Sequence, residues 1–491
     1  MKKYFYLFAL NLTFLAQGQS LILDPSFGTN GTSSNGDPIK PSNGYFENNQ
    51  YYLFGNDIRF ARYNYDGSKD TAFGNYGFFV FSIAGEYPVL KNFKMHNGKC
   101  YGYGKSNSAS TLTDGIILRL TTDGQPDQTF GVNGVVRFNL GAHEYFNDIL
   151  INSDGSFYAL GVKQSTSSTD SDGRVLVCKF LANGSLDTSF NVTGSKVFPF
   201  TKAAKGIALF PYENGILLGN WTSGTNGNSV IYLQKMDSDG NLMTNFGTNG
   251  ELQIPIPVFG SANADNFRNL KLVGNRIYAH YYWGTSFSSQ GYNMYVFDIT
   301  NPATPLFTIG MYGDSYFKAF ESGKVIVARG TACIHPSCNS THYTLKQYNA
   351  DGTLDTSFDN DGMYEYDFTS YFSAVEGATF FYQHDDGRIF IAGEYGNLSM
   401  LRIGLPGLVN EDFDTDHTYS VYPNPSFKIL YINNKNNTFL ENVFISDVLG
   451  KRIETPINIE NGIDISALNK GVYILSFIVN GNSYSLKFVK S

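Results

Sequence analysis

The 491-residue sequence predicts an all-β protein: a seven-bladed β-propeller closed by pairing of its N- and C-terminal half-units, followed by a small Ig-like β-sandwich. Three observations support this fold class. A short phrase recurs at a spacing of roughly 50–60 residues, as in repeat architectures. An alternating strand recurs with it, and the two ends of the repeat region carry complementary halves of one unit. Abundant glycine (51 residues), 16% aromatic residues and only 16% charged residues fit a β protein with many tight turns.

The repeated phrase is built around one phenylalanine, as in LDTSFNVTG from Leu186 and LDTSFDNDG from Leu354. A single blade cannot bury both of its faces, so we expect this ring to pack between blades and to contribute about 1.5–3 kcal/mol. An aspartate three residues earlier suits a cap on a one-turn bend. The copy at Phe307 has lost this aspartate and its Asp-Gly turn. The aligned copies lie at Phe27, Phe73, Phe130, Phe190, Phe246, Phe307 and Phe358.

The second landmark is an alternating strand after a turn, as in DGSFYALGV from Asp154, and it also occurs seven times. A third strand usually ends in a basic residue before the phrase, as Arg119 does before Asp127. We expect a repeated, exposed ion pair there, which would add about 0–1 kcal/mol. The first phrase, at Leu23, has no such strand before it, and the last strand, which carries Arg402, has no phrase after it. A closed ring explains both halves and removes exposed sheet edges; the alternative, an open β-solenoid, would need caps instead.

The N-terminus has the pattern of a secretory signal peptide over residues 1–18, with cleavage expected between Gly18 and Gln19. The propeller is predicted over 19–404. No later apolar run is long enough for a membrane helix. The net charge of −8 disfavours nucleic acid and anionic membrane surfaces as partners, because both require clustered basic residues.

The sequence changes character after Gly404. Residues 405–418 are polar and acidic, as in a linker, and 419–491 alternate apolar runs with Asn-Gly and Leu-Gly turns, as in a compact β-sandwich. The pieces YPNP from Tyr422, ISDVLGK from Ile445 and KFVK from Lys487 resemble the type A C-terminal sorting domain of the type IX secretion system of Bacteroidetes. This resemblance implies export through Sec and then type IX secretion, the secretion machinery as partner, and a protein that is secreted or attached to the outer-membrane surface.

The phrase itself, in the form DGxLDxSFGxxG, resembles the delta-60 repeat family of large secreted and surface bacterial proteins. The match covers most of residues 21–404, with departures at Met243, where aspartate is expected, and at the eroded copy around Phe307. The resemblance implies a propeller-like domain and brings no enzymatic activity with it.

The sequence offers few candidate metal sites, and it contains four cysteines. Asp-rich loops such as NYDGSKD from Asn64 and NADGTLD from Asn349 offer oxygen ligands, but too few carboxylates for a self-sufficient calcium loop. We therefore predict Asp-Gly turns and no cofactor, with calcium as the alternative. Cys333 and Cys338 are predicted to form a small disulfide, the alternative being a metal site with His335. Cys100 and Cys178 lie in strand-like runs and are predicted to be buried thiols.

A stretch from Arg276 interrupts the repeat pattern, and its Tyr281, Tyr282 and Trp283 form a candidate platform for stacking on sugar rings. The alternative is aromatic filling between blades. No catalytic residues are predicted, because no HExxH, phosphate-binding loop or ordered Ser/His/Asp set is present. The sequence thus favours an exported recognition module for a glycan or protein ligand. A polysaccharide hydrolase or lyase with paired carboxylates, or a purely structural surface or adhesion protein, remains the alternative, and enzymatic activity is left open.

Overall fold

The computed structural model describes residues 20–490, except for 34–36, 38, 56–57, 109–111, 166–172, 199–203, 223–229, 257–266, 285–289, 312–315, 332–340, 369–377, 396, 405–418, 425, 435–439, 448–451, 454–461 and 480–481. The predicted signal peptide with its cleavage point Gly18–Gln19, and the predicted disulfide Cys333–Cys338, lie outside the described residues. The chain divides into two compact units, Met1–Asn410 and Glu411–Ser491. Among the described residues, no helix has the length and apolarity needed to cross a membrane.

The described part of the first unit folds into seven antiparallel sheets, and its helical content is two single 3-10 turns at Phe190–Val192 and Phe358–Asn360. Sheet 1 contains β3 (Pro41–Glu47), β4 (Gln50–Gly55), β5 (Arg59–Asn64) and β6 (Phe78–Val80). Sheet 2 contains β7 (Glu86–His96), β8 (Lys99–Ser108), β9 (Thr113–Leu120) and β10 (Val135–Phe138). Sheet 3 contains β11 (His143–Ile151), β12 (Phe157–Gln164), β13 (Arg174–Phe180) and β14 (Ser195–Phe198).

The next three sheets repeat this order of strands. Sheet 4 contains β15 (Ala204–Tyr212), β16 (Gly215–Thr222), β17 (Val230–Met236) and β18 (Glu251–Pro255). Sheet 5 contains β19 (Phe267–Val273), β20 (Arg276–Gly284), β21 (Gln290–Asp298) and β22 (Phe307–Met311). Sheet 6 contains β23 (Tyr316–Ala319), β24 (Val325–Thr331), β25 (Thr341–Tyr348) and β26 (Met363–Phe368).

The seventh sheet, called the closing sheet below, joins the two ends of the first unit. It contains β27 (Ala378–Gln383), β28 (Ile389–Tyr395) and β29 (Asn397–Gly404), together with β1 (Ile22–Leu23) and β2 (Thr32–Ser33) from the start of the chain. Both N-terminal strands pair antiparallel with β29, with Leu23 opposite Ile403 and Thr32 opposite Leu401. The two half-units seen in the sequence therefore complete one sheet.

The first strand of a sheet contacts the first strand of the next sheet, as β27 does with β3, β3 with β7, and β11 with β15. These first strands form the inner edge of the unit, and the last strands, such as β6 and β10, lie at the opposite edge of their sheets. Most first strands carry a register shift at an equivalent place, for example between Leu90 and Asn92 in β7. Such a bulge twists the strand and redirects its side chains.

Hydrophobic side chains fill the space between consecutive sheets. One cluster joins sheets 1 and 2 through Phe60, Phe73 and Phe93, and another joins the closing sheet to sheet 1 through Phe27 and Tyr51. Strands buried on both faces explain the apolar runs in the sequence, because each sheet packs against a neighbour on either side. The core is thus a series of layers between sheets.

The second unit contains two small sheets. The first consists of β30 (Tyr419–Tyr422), β31 (Ile429–Asn434) and β34 (Ile463–Asp464). The other consists of β33 (Arg452–Ile453), β32 (Glu441–Asp447), β35 (Gly471–Val479) and β36 (Asn482–Lys490). Leu430, Ile445 and Phe488 are buried in one cluster that draws on both sheets. The Ig-like character of this unit stays a prediction.

Candidate functional site

The closing sheet is held by a buried ion pair between the two ends of the first unit. Nε of Arg402 on β29 lies 2.7 Å from Oδ2 of Asp24, and the two side chains are only 1% and 2% exposed. Oδ1 of Asp24 accepts from the backbone N–H and hydroxyl of Ser26 at 3.0 and 2.7 Å. Burial opposes ionisation of Asp24, but the Ser26 hydrogen bonds and the Arg402 charge together hold its pKa below the usual value.

The same guanidinium reaches into sheet 1. One terminal nitrogen of Arg402 donates to the backbone oxygen of Tyr65 at 2.6 Å, and the group lies 4.2 Å from the centre of the Tyr65 ring. Next to it, the Tyr51 hydroxyl and Nε2 of His384 are 2.7 Å apart. Burial lowers the pKa of His384 to about 4, and the Arg402 charge adds to the shift. The folded protein therefore holds this imidazole neutral at physiological pH.

The joint between the closing sheet and sheet 1 repeats at other sheets. Nε of Arg119 lies 2.9 Å from Oδ2 of Asp127, both nearly inaccessible, and Arg119 also donates to the backbone oxygen of Ala182 on the next turn at 2.5 Å. Further pairs are Arg62–Asp70 and Lys179–Asp187, and Lys324 reaches Asp355 from another strand. The expectation of exposed pairs is wrong for Arg62 and Arg119, because each guanidinium crosses to a turn of the neighbouring sheet and its pair is covered there, whereas Lys324 is 42% exposed. The aspartates are part of the joint.

In five copies of the phrase, the phenylalanine packs on the turn glycine of the following sheet. A Cβ atom on Gly124 would lie 2.7 Å from the ring of Phe73, and the glycine has φ +78°. Gly67 has the same relation to Phe27. The eroded copy keeps this contact, because a Cβ atom on Gly352 would lie 2.6 Å from Phe307. The phrase is therefore a joint between sheets, and the prediction that its ring packs between them agrees with the structure.

Tyr281 of the predicted aromatic platform is fully buried. Its ring lies 6.0 Å from that of Trp221, inside the cluster between sheets 4 and 5. It offers no face to a sugar at that place, since the strand directs it into the core as filling between sheets. The side chains of Tyr282 and Trp283 are outside those the structure describes, and their role stays a prediction.

The acidic loops considered for calcium use their carboxylates within their own turns. Oδ1 of Asp66 accepts from the N–H and hydroxyl of Ser68, and Asp351 does the same with Thr353. In the described part of the chain, no three His, Cys, Asp or Glu side chains are grouped so that they could hold a metal ion. Cys100 is a buried free thiol, and its burial raises the thiol pKa.

A groove lies between the outer edges of sheets 1 and 2; we call it the rim groove. It encloses about 800 Å³ between Phe79–Ala84 on one side and Gly131–Arg137 on the other. A smaller cavity of about 460 Å³ adjoins it at Phe79 and Val80 and is also lined by Asn75. Val80 and Val132 are both largely exposed there. Apolar walls, a few polar groups and this volume are typical of ligand sites.

Tyr76 lies in the turn that borders the smaller cavity, between Asn75 and Phe78. It is 77% exposed and has φ +52°, in the left-handed region. The equivalent third residue after the phrase phenylalanine is asparagine in three other copies, Asn30, Asn133 and Asn249, all with φ near +50°. Tyr76 is not among the site residues predicted from the sequence, although the aligned turns of the phrase have tyrosine here where three other copies have asparagine.

Solved structures with similar folds resemble the chain only distantly. Quinohemoprotein alcohol dehydrogenase from Comamonas testosteroni is 9% identical with a TM-score of 0.43, over 83% of this chain and 79% of that one. The computationally designed Ika8 protein is 12% identical with a TM-score of 0.37, over 78% and 99%. BamB from Moraxella catarrhalis is 10% identical with a TM-score of 0.32, over 74% and 97%. These scores are too low to support conclusions about function. A search of curated proteins finds no relative.

Two family models match parts of the sequence. The model described as "Domain of unknown function (DUF5122) beta-propeller" matches residues 97–130, 165–190 and 336–358. Each matched segment ends on a phenylalanine of the repeated phrase. The model described as "Secretion system C-terminal sorting domain" matches residues 420–491. The count of seven blades stays a prediction, while the repeated sheets and the first match establish the propeller. The chain is thus a β-propeller exported to the cell surface or beyond by type IX secretion, whose machinery its C-terminal sorting domain engages.

Proposed function

We propose that the exported propeller is a recognition module for a glycan or protein ligand, and that the ligand binds at the rim groove beside Tyr76. The observation that carries this proposal is an exposed aromatic side chain in a strained backbone conformation. A non-glycine residue in the left-handed region costs about 1–2 kcal/mol, and asparagine tolerates it better than tyrosine does. Because the Tyr76 side chain is largely exposed, its packing offsets little of this cost. Strain of this kind is typical of binding sites.

The groove next to Tyr76 supports the same proposal. Its floor is apolar, with Phe79 and Val136 among the lining residues, and the outer strands β6 and β10 present backbone at its two sides. Tyr76 follows Asn75, which lines the adjoining cavity, and its exposed ring can stack on the face of a sugar or on an apolar side chain. The groove and the ring together therefore suit a ligand that lies along the rim.

The test uses the exported chain from residue 19 on arrays of glycans and candidate proteins, followed by titration of each ligand found. Tyr76→Asn restores the residue that other copies use. We expect it to weaken binding by about tenfold or more, and to leave the melting temperature (Tm) unchanged or higher. Val192→Asn is the matched control, because Val192 is also exposed with φ +63° but follows another copy of the phrase. Equal binding by Tyr76→Asn and the unmodified chain, or no ligand on any array, would contradict the proposal.

A further inference from the structure

Two lysines on the inner edge of the propeller hold equivalent positions in different sheets. Lys94 on β7 and Lys271 on β19 each lie two residues beyond the point where pairing resumes after the bulge of their strand. Each ammonium group donates to a backbone oxygen on the first strand of the next sheet, Lys94 to Ile149 at 2.5 Å and Lys271 to Phe317 at 2.6 Å. The two side chains therefore cross the same joint between sheets in the same way.

The residue that precedes the accepting carbonyl differs between the two joints. Before Ile149 it is Asp148, whose Oδ1 lies 2.7 Å from Nζ of Lys94. Before Phe317 it is Tyr316, whose ring centre lies 4.7 Å from Nζ of Lys271. Where Lys94 contacts a carboxylate, Lys271 contacts the face of an aromatic ring. Among the described residues, Lys271 therefore has an aromatic ring at the place where Lys94 has the Asp148 carboxylate.

A second lysine lies next along the inner edge. Nζ of Lys318 on β23 is 4.7 Å from the ring centre of Tyr382 on β27. Within the described residues, no carboxylate lies at ion-pair distance from Lys271 or Lys318. Burial lowers the pKa of Lys271 to about 8, and the positive charge of Lys318 adds to this shift. Lys271 is thus held close to a second positive charge, while Asp385 is the acidic group whose charge acts on Lys318 and partly offsets the fall that burial causes in its pKa.

We propose that Lys271 and Lys318 bind the carboxylate or sulfate groups of an anionic saccharide at the inner edge of the propeller. Lys318 is half-buried, and Lys271 is half-buried as a residue although its ammonium group is covered by the rings of Tyr316 and Phe317. Aromatic rings continue along the neighbouring first strands, with Tyr382 half-buried and Tyr45 on β3 42% exposed. Ring faces pack against the C–H faces of sugars, while ammonium groups bind anions as point charges. This combination favours an acidic saccharide over an acidic peptide, and the site is separate from the rim groove.

The test is calorimetric titration of the exported chain with three oligosaccharides of equal length: a polyuronate, a sulfated glycan and a neutral glycan. We expect the anionic probes to bind and the neutral probe to bind at least about tenfold more weakly, since hydrogen bonds between charged groups are stronger than neutral ones. Lys271→Gln and Lys318→Gln should each weaken anionic binding about tenfold. Lys94→Gln is the matched control and should bind normally, because Lys94 already has Asp148 as its partner.

Four outcomes would overturn this proposal. They are no binding of either anionic probe, equal binding of the neutral probe, an equal loss in Lys94→Gln, and, when poly-glutamate is titrated as a fourth probe, tighter binding of this peptide than of every saccharide. Thermal melts of each variant show that the fold is intact, and we expect Lys271→Gln to melt no lower than the unmodified chain because it removes a desolvated charge. None of these results depends on Tyr76, so failure here leaves the rim groove proposal standing.

Discussion

Replacing Arg402 by methionine tests whether the buried pair with Asp24 holds the two ends of the propeller together. Breaking a buried pair by removing one partner typically costs about 3–5 kcal/mol. Asp24 keeps its Ser26 hydrogen bonds and has Arg388 at 3.3 Å, so we expect the lower end, about 3 kcal/mol. For a unit of this length the unfolding entropy is large, and the corresponding fall in Tm is about 4 °C. Calorimetry and urea denaturation of the exported chain measure both quantities.

Lys99→Met is the control for this experiment. Lys99 lies 2.8 Å from the equivalent aspartate Asp127, but it is 37% exposed and Asp127 keeps Arg119. Its loss should cost less than about 1 kcal/mol. Hydrogen exchange provides a local measurement: in Arg402→Met, protection should fall at β1 and β2. The reasoning is refuted if the two variants lose equal stability, or if exchange rises evenly over all sheets.

Three further predictions concern the joint, the closing network and the turns. Gly124→Ala should cost about 2–4 kcal/mol in urea denaturation, through backbone strain and overlap with a phenylalanine ring, whereas Gly141→Ala has open space and should show the strain alone. The folded state binds fewer protons than the unfolded chain at His384 between pH 6.5 and about 4, so lowering the pH through this range should remove up to about 3 kcal/mol of stability. His384→Gln should flatten that part of the pH profile; an unchanged profile would exclude His384 as its source. A chelator should leave Tm unchanged because carboxylates such as Asp351 are engaged in their own turns, and a rise in Tm on adding calcium would contradict this.

The sequence predicts the repeated features well because each repeated residue serves the same joint many times. Aspartate, phenylalanine and turn glycine recur at fixed offsets, so spacing alone identifies the all-β propeller and the split unit at its ends. The pairing of β1 with β29 and the ion pair of Arg402 with Asp24 follow from those halves. The C-terminal sorting domain could also be predicted from the sequence, because its motifs occur in the expected order over residues 419–491.

The sequence does not reveal features that depend on how one sheet lies against the next. The ion pairs were expected to be exposed, but a strand sequence does not show that the guanidinium of Arg119 reaches the neighbouring turn at Ala182. The inner-edge lysines were missed for a similar reason. Their equivalence depends on a bulge that shifts register by one residue, and periodicity in the sequence does not locate that bulge.

Ligand recognition in a repeat protein is best sought where one copy differs from the others and gains nothing in stability. The aspartates and phenylalanines of the phrase are engaged within the joints, which leaves them unsuited to binding. Tyr76 differs from the asparagine of other copies and is strained, and Tyr316 differs from Asp148 and leaves a lysine without its anion. The backbone strain at Tyr76 is unfavourable for folding, and Tyr316 replaces an ion pair by a contact with a ring. We propose binding at these two places as the reason for the differences, and the two sets of variants test the two sites separately.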